Sequence, residues 1–431
     1  MSTKSWTRAC APLAVAFCAL AAQAQGGPPP IDQGKIDAAI RKGVAYLKGV
    51  AVPVLAKPAD DPSGRTEREL VLWTLAHAEV PETDPVFAGL LKEMLERPLQ
   101  STYCVALQAM ILEEIGRVKY QRRIWQCAQF LVDNQCQDGS WCYGSPTIYA
   151  NETSSDGGQR SDAGSGGVKK PGVREFSTAR VKPEVKTRLK VEKKRDGNAS
   201  GDNSNTQYAA LGMRACHDAG IILPDAVIEK AMAWYRQCQK APEGPKVRLE
   251  FKDNAEKPIG PRQSGVMQGV SADPRGWCYG QHDHPAYGSM SAGSVGGLAI
   301  WDYIKDNDGG KGKRSWRKDP NVLSGIAWLA KNFSVTYNPG AYCKGNQEVN
   351  SQDFYYYYLY ALERAAMLFG TETIGSHWWY AEGAKVLLER QGEGGNWGPW
   401  LWAGDTCFAI LFLKRATRPL VASTDRFAPP R

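Results

Sequence analysis

The chain has 431 residues, 43% hydrophobic and 23% charged, which is enough apolar content for one large core or two ordinary ones and too much for a disordered protein. Its formal charge of +8 is local: between Gly166 and Arg195 eleven Lys and Arg stand against three Glu, so the rest of the chain is balanced and a general nucleic-acid-binding domain is excluded. After the leader, no stretch approaches the roughly 18 unbroken apolar residues of a membrane-spanning helix, which excludes a channel or transporter.

In chain order, residues 1–24 read as a signal peptide: Lys4 and Arg8 precede the uncharged stretch Ala9 to Gln25, and Ala22-Gln23-Ala24 is a small-x-small cleavage site. The expected product is secreted or periplasmic, cleaved near Ala24, and begins with a Pro/Gly-rich linker over 25–33. From 34 to 416 helical segments then recur in pairs. Amphipathic members fall near 34–49, 84–97, 121–135, 224–239, 319–333 and 376–391, and more uniformly apolar members near 67–79, 102–116, 204–219, 288–304, 353–369 and 404–415. A helix apolar on every face must be covered on every face, whereas an amphipathic one can keep one face in water. The alternation predicts an all-α fold, an (α/α)6 toroid of six inner and six outer helices.

Two long loop insertions interrupt the pairs. The first, 145–201, opens Gly/Ser-rich and ends in the basic run, and is expected to be a mobile loop that folding does not need. Its segment 166–195 is the candidate contact for a protein or an anionic envelope partner. The second, 240–271, carries Pro242, Pro245, Pro258 and Pro261 and reads as an extended surface excursion. Residues 417–431 read as a C-terminal tail. Of eleven cysteines two lie in the leader, and Cys136 with Cys142 is the disulfide to test first among the remaining nine.

Arg41 to Leu47 looks like the first half of the repeat known as the QW motif, and Gln135-Cys136-Gln137-Asp138-Gly139-Ser140-Trp141 matches its second half. Gln391, Gly395, Asn396 and Trp397 repeat it near the C-terminus, and Asp273 to Gly280 is a looser copy. The chain thereby resembles the squalene/terpenoid cyclase and protein prenyltransferase superfamily, whose domains are α/α toroids. The repeat has an intelligible structural role at Gln135, Gly139, Trp141, Gln391 and Trp397: glutamine bonds free groups at helix ends and tryptophan packs over the junction. It is a marker of fold and not of chemistry.

The cyclase family's acid motif, Asp-x-Asp-Asp-Thr-Ala, is matched only by Trp402-Ala403-Gly404-Asp405-Thr406-Cys407, where Gly404 stands at the proton donor's position. The resemblance therefore implies the fold without the acid. The expected function is a non-cyclising binding or interaction scaffold; the alternative is a cyclase-type or glycan-processing enzyme whose catalytic residue is unassigned, with Asp405 and Asp353 as candidates. In a toroid the amino-terminal ends of the inner helices converge on the mouth of a cavity, which predicts a ligand-binding rim of Tyr103, Asn205, Gln207, Ser291, Tyr356 and Tyr357 for a small apolar or glycan ligand. Thr102, Asn205, Ser289, Asp353 and Asp405 are also good helix caps. No cofactor or metal is expected; the one loose cluster of metal-ligand residues is Cys278, His282 and His284.

Overall fold

A computed structural model describes residues 29–55, 65–147, 182–252, 266–281, 285–308, 315–344, 347–352, 354–398 and 403–420. These residues are mostly helical and contain twelve helices. They are α1 (Gln33–Leu55), α2 (Arg65–His77), α3 (Pro85–Glu96), α4 (Thr102–Gly116), α5 (Gln121–Asp133), α6 (Asn203–Asp218), α7 (Asp225–Cys238), α8 (Gly288–Asp308), α9 (Pro320–Lys331), α10 (Tyr355–Phe369), α11 (Trp379–Arg390) and α12 (Gly404–Lys414). The segment 1–24 expected to be a signal peptide lies outside the described residues.

Local signals explain where the outer members start. Asp84 accepts from the amides of Val86 and Phe87 at 3.1 and 3.4 Å, and Pro85 occupies the first turn of α3, where a missing N–H costs nothing. Asp319 and Pro320 repeat the device at α9, with Asn321 and Val322 at 2.8 and 3.3 Å. Burial then separates the helices. α3 buries Phe87, Leu90, Leu91 and Met94, one face at helical spacing. Every residue of α10 is buried, and in α12 everything from Gly404 to Leu413 is.

The even-numbered helices pack in series, α2 on α4, α4 on α6, α6 on α8, α8 on α10 and α10 on α12, and α12 packs back on α2. The odd-numbered ones lie against them: α1 on α12 and α2, α3 on α2, α5 on α4 and α6, α7 and α9 on α8, and α11 on α10 and α12.

Three junctions share one geometry. Gln135 Nε2 donates to the Gly139 carbonyl at 3.1 Å and to that of Val227, in α7, at 2.8 Å. Gln239 does the same to Arg275 at 3.0 Å and Asn321, in α9, at 2.9 Å. Gln391 reaches Gly395 and Ala39, in α1, both at 2.9 Å. The indoles of Trp141, Trp277 and Trp397, all fully buried, donate to the carbonyls of Leu131, Tyr235 and Leu387 at 2.8, 2.7 and 2.8 Å. Their backbone amides donate to Thr206 Oγ1, Ser291 Oγ and Thr406 Oγ1 at 3.0, 2.9 and 3.0 Å. Gly139 and Gly395 sit at φ of 96° and 90°, and a Cβ there would lie 2.3 and 2.5 Å from the carbonyls of Lys230 and Lys42.

The insertions depart from the expectation of loops. Residues 182–202 run along the outside of α5. Trp125 Nε1 donates to the Lys190 carbonyl at 2.9 Å, Gln129 Nε2 to the Glu192 carbonyl at 2.7 Å, and Val191 is buried. Lys182 pairs with Glu113 and Glu114, and Arg195 donates to Asn134 Oδ1 at 3.0 Å. This part of the basic run is therefore fastened to the core; residues 148–181 lie outside the described set. A two-residue parallel ladder joins β1 (Leu189–Lys190) to β2 (Ile221–Ile222). The second insertion is an antiparallel hairpin of β3 (Val247–Lys252) and β4 (Val266–Ala272), with Leu249 and Phe251 buried. A further hairpin, β5 (Asn338–Lys344) with β6 (Gln347–Ser351), joins α9 to α10. At the other terminus, residues 417–420 are packed rather than trailing. Thr417 donates to Glu363 through its amide at 2.9 Å and its hydroxyl at 2.7 Å, Arg418 pairs with Glu114, and Leu420 is buried.

Candidate functional site

The first turns of α4, α6 and α10 meet, and that of α12 lies beside α10. Tyr103, second in α4, donates to Ser204, second in α6, at 2.7 Å, and the Ser204 hydroxyl lies 2.8 Å from that of Tyr357, third in α10. Tyr356, in α10, stands beside Asp405 of α12. The loops that enter these helices bring Tyr143, Tyr279 and Phe354 to these first turns, at 64%, 39% and 47% exposure the largest exposed aromatics described. Thr102 and Asn203 amides donate to the carbonyls of Tyr143 and Tyr279 at 2.8 and 2.9 Å, which fixes both tyrosines to helix starts. The ring of Tyr103 is 6.2 Å from that of Tyr143. Phe354 holds φ at 57°, a left-handed conformation that costs a non-glycine residue about 1 kcal/mol or more.

Asp202 caps α6, accepting from the Asn205 amide at 2.7 Å and the Asn205 side chain at 2.9 Å. Burial raises its carboxyl above the ordinary value, although those hydrogen bonds act in the opposite direction. The Tyr279 hydroxyl is raised by burial and by the neighbouring Asp202 and Tyr143.

Beneath this rim the side chains meet across the middle. Gln207 of α6 donates to the Tyr357 hydroxyl at 2.6 Å and accepts from Arg364 Nη2 at 2.7 Å. Trp73 of α2 donates to the Tyr360 hydroxyl at 3.2 Å. The rings of Tyr208 and Tyr357 stack at 6.3 Å, and Phe408 of α12 lies 5.4 Å from Tyr357 and 5.9 Å from Tyr360. Burial pushes the Tyr357 hydroxyl up to about 12. Helices that are not neighbours in the packing series, α6 with α10 and α2 with α10, are thus joined by direct hydrogen bonds.

Of the rim residues expected from sequence, Tyr103, Gln207 and Tyr357 come together. Asn205 is committed to Asp202, Ser291 to the Trp277 amide, and Tyr356 is buried beside Gly398 and Asp405. The expected caps are corrected: Ser101, Asp202 and Ala403 hold the cap positions of α4, α6 and α12. The Ser289 amide is itself capped by Asn338 Oδ1 at 2.9 Å. Asp405 is a buried member of the first turn of α12, and Asp353 lies outside the described residues. Glu363 is occupied by Thr417. Cys278 is buried with its thiol 2.9 Å from the Gly280 carbonyl, and His282 and His284 lie outside the described residues. No group of three or more metal-ligating side chains stands together among those described. Cys136 and Cys142 are free thiols, and burial with the adjacent Cys142 pushes Cys136 up to about 12.

Sequence reasoning missed Ser204, Tyr208, Tyr360 and Arg364. The readable signal was Arg364 itself, a permanent charge in the otherwise apolar run Leu359 to Phe369 with only Glu363 beside it. Comparison of the chain with family models, curated proteins and solved structures finds no match.

Proposed function

We propose that this chain is an (α/α)6 toroid of the squalene/terpenoid cyclase and prenyltransferase type that binds a ligand at its mouth and does not cyclise polyprenes. The return of α12 onto α2 and the three matched glutamine–tryptophan junctions support the ring. The observation that carries the functional half is the direct bonding of Ser204 and Gln207 to Tyr357 across the middle, which crosses the path a long polyprene chain would take. Protonating an alkene also requires a carboxylic acid aimed into a dry chamber, and Gly404 occupies the position of the family's donor.

The exposed Tyr143 and Tyr279, with Asp202 as a neighbouring acceptor, favour a glycan over an apolar ligand, because flat tyrosine faces stack on sugar rings and a carboxylate beside them can accept from sugar hydroxyls. Export and an anionic partner for the basic run belong to the same reading, with Lys186 and Lys190 exposed along the described part of that run.

The test incubates the full chain with squalene and related polyprenes in detergent and analyses the products by mass. No isomeric product is expected; turnover that Asp405→Asn abolishes would overturn the reading and make Asp405 the acid. In parallel, soluble N-acetylglucosamine oligomers are titrated by calorimetry, with binding expected to weaken about tenfold in Tyr143→Ala or Tyr279→Ala, the scale of one lost aromatic stacking contact.

A further inference from the structure

Arg364 is 2% exposed and lies well inside α10, where the charge of the adjacent Glu363 acts on it without forming an ion pair. Nη2 is spent on the neutral Gln207 Oε1, Nη1 is buried without a hydrogen-bond partner, and among the described residues no carboxylate is paired with the guanidinium. The adjacent carboxylate, Glu363, is taken by the amide and hydroxyl of Thr417. What surrounds Arg364 is aromatic: the Tyr360 and Tyr208 ring centroids are 4.2 and 5.6 Å away. Ring faces offset part of a cation's desolvation, but a buried unpaired guanidinium still costs several kcal/mol.

The hydroxyls beside it are also short of acceptors. Tyr103, Ser204 and Tyr357 carry three O–H groups between two contacts, of 2.7 and 2.8 Å, and Gln207 Nε2 already donates to Tyr357. One hydroxyl proton of the three therefore has no acceptor within the set. Gln207 thus links a positive charge that has an N–H group without a hydrogen-bond partner to a hydroxyl set with one surplus O–H group, and no carboxylate among the described residues is bonded to any of them. From these we infer that the middle of the bundle is a seat for a small oxyanion, a carboxylate or phosphate group. Arg364 Nη1 and the surplus hydroxyl hold it, and it enters from the Tyr103 end. A planar guanidinium suits both groups, since each offers two oxygens to parallel N–H donors. The inference rests on reading that end as the ligand's entrance and adds the chemical class of what enters.

The test titrates the full chain with inorganic phosphate and, separately, with acetate, at constant ionic strength. The melting temperature is followed together with tryptophan fluorescence, since Trp73 is bonded to Tyr360 beside the seat. A saturable rise is expected, about 2 °C at tenfold over the dissociation constant, with at least one anion. Response to phosphate alone identifies a phosphate-bearing ligand, and response to acetate identifies a carboxylate. Gln207→Glu supplies the missing charge from within; it should melt above the wild type and lose the saturable response. Arg364→Gln, if it folds, should lose the response as well. No saturable rise with either anion, or a Gln207→Glu chain that melts lower and still responds, overturns the seat. A chain that binds oligosaccharide through Tyr143 and Tyr279 yet ignores both anions would overturn the seat while leaving the entrance in place.

Discussion

Trp141, Trp277 and Trp397 each do three things at once: they fill a buried site, cap a carbonyl near the end of an odd-numbered helix, and pass a backbone amide to a hydroxyl on the next even-numbered one. Replacing any of them by Ala is expected to cost about 3 to 5 kcal/mol in urea unfolding, and a loss below about 0.5 kcal/mol would deny the junction its role. Glu363 gives a prediction with a sign. Burial pushes its carboxyl from 4.5 to about 7, overcoming the two hydrogen bonds from Thr417 and the nearby Arg364 and Arg415. Between those values the folded chain holds a proton that the unfolded chain has released, so the contribution is complete below the lower value and is lost as pH rises through the upper one. Relative to Glu363→Gln, the wild type should lose on the order of 3 kcal/mol between pH 4 and 8, with most of the change below pH 7. Unfolding of both chains across that range checks it, and an opposite slope would show that the Thr417 bonds prevail. Trp141 and Gln135 were legible because they lie six residues apart in a contiguous motif. Gln239 does the same work as Gln135 but stands 38 residues before Trp277, so no local pattern could join them. Asp405 was misread because a residue's fitness as a cap does not say which residue takes the cap dihedral; Ala403 takes that position.

The helices were readable as elements because burial on one face or on all faces writes its own periodicity, and the described helices fall on the segments expected from that pattern. The segment 182–202 was not readable, because its attachment is made by its backbone. Lys190 and Glu192 offer carbonyls to Trp125 and Gln129 while their side chains remain exposed, so composition shows only the charge. The two hairpins were hidden for a related reason: β3 and β4 straddle a proline-rich stretch, and β5 carries Pro339 and Gly340, which read as punctuation. The attachment has a measurable consequence. Val191→Ala should cost about 1 to 2 kcal/mol, and replacing 182–197 by a Gly/Ser linker should cost more, because Trp125, Gln129 and the Glu113–Glu114 pair then lose partners on one side. A linker variant that melts with the wild type would restore the view of this run as an appendage.

At the scale of the whole molecule the question is whether the two ends of the chain hold each other. Gln391 bonds Ala39, more than 350 residues earlier, and α1 lies on α12. A tight point within α1 is Gly43, where an added Cβ would come within 2.9 Å of both Ile410 of α12 and Trp397 of the last junction. Neither neighbour has room to retreat: Ile410 and Trp397 are fully buried, and Trp397 is pinned through its indole to Leu387 and through its amide to Thr406. Gly43→Val therefore cannot be absorbed by a side-chain rotation and must push α1 outward, at about 1 to 3 kcal/mol for an overpacked core site. Propensity works the other way, since valine is a slightly better helix former than glycine, so a loss cannot be blamed on α1 itself. Closure makes the location of the damage specific. Amide hydrogen exchange should speed up over Trp379–Arg390 and Gly404–Lys414, on the far side of the sequence, and leave Asn203–Asp218 near its wild-type protection. Exchange that rises only within Gln33–Leu55 would mean that α1 is a detachable helix and that the packing series is held shut by α12 on α2 alone.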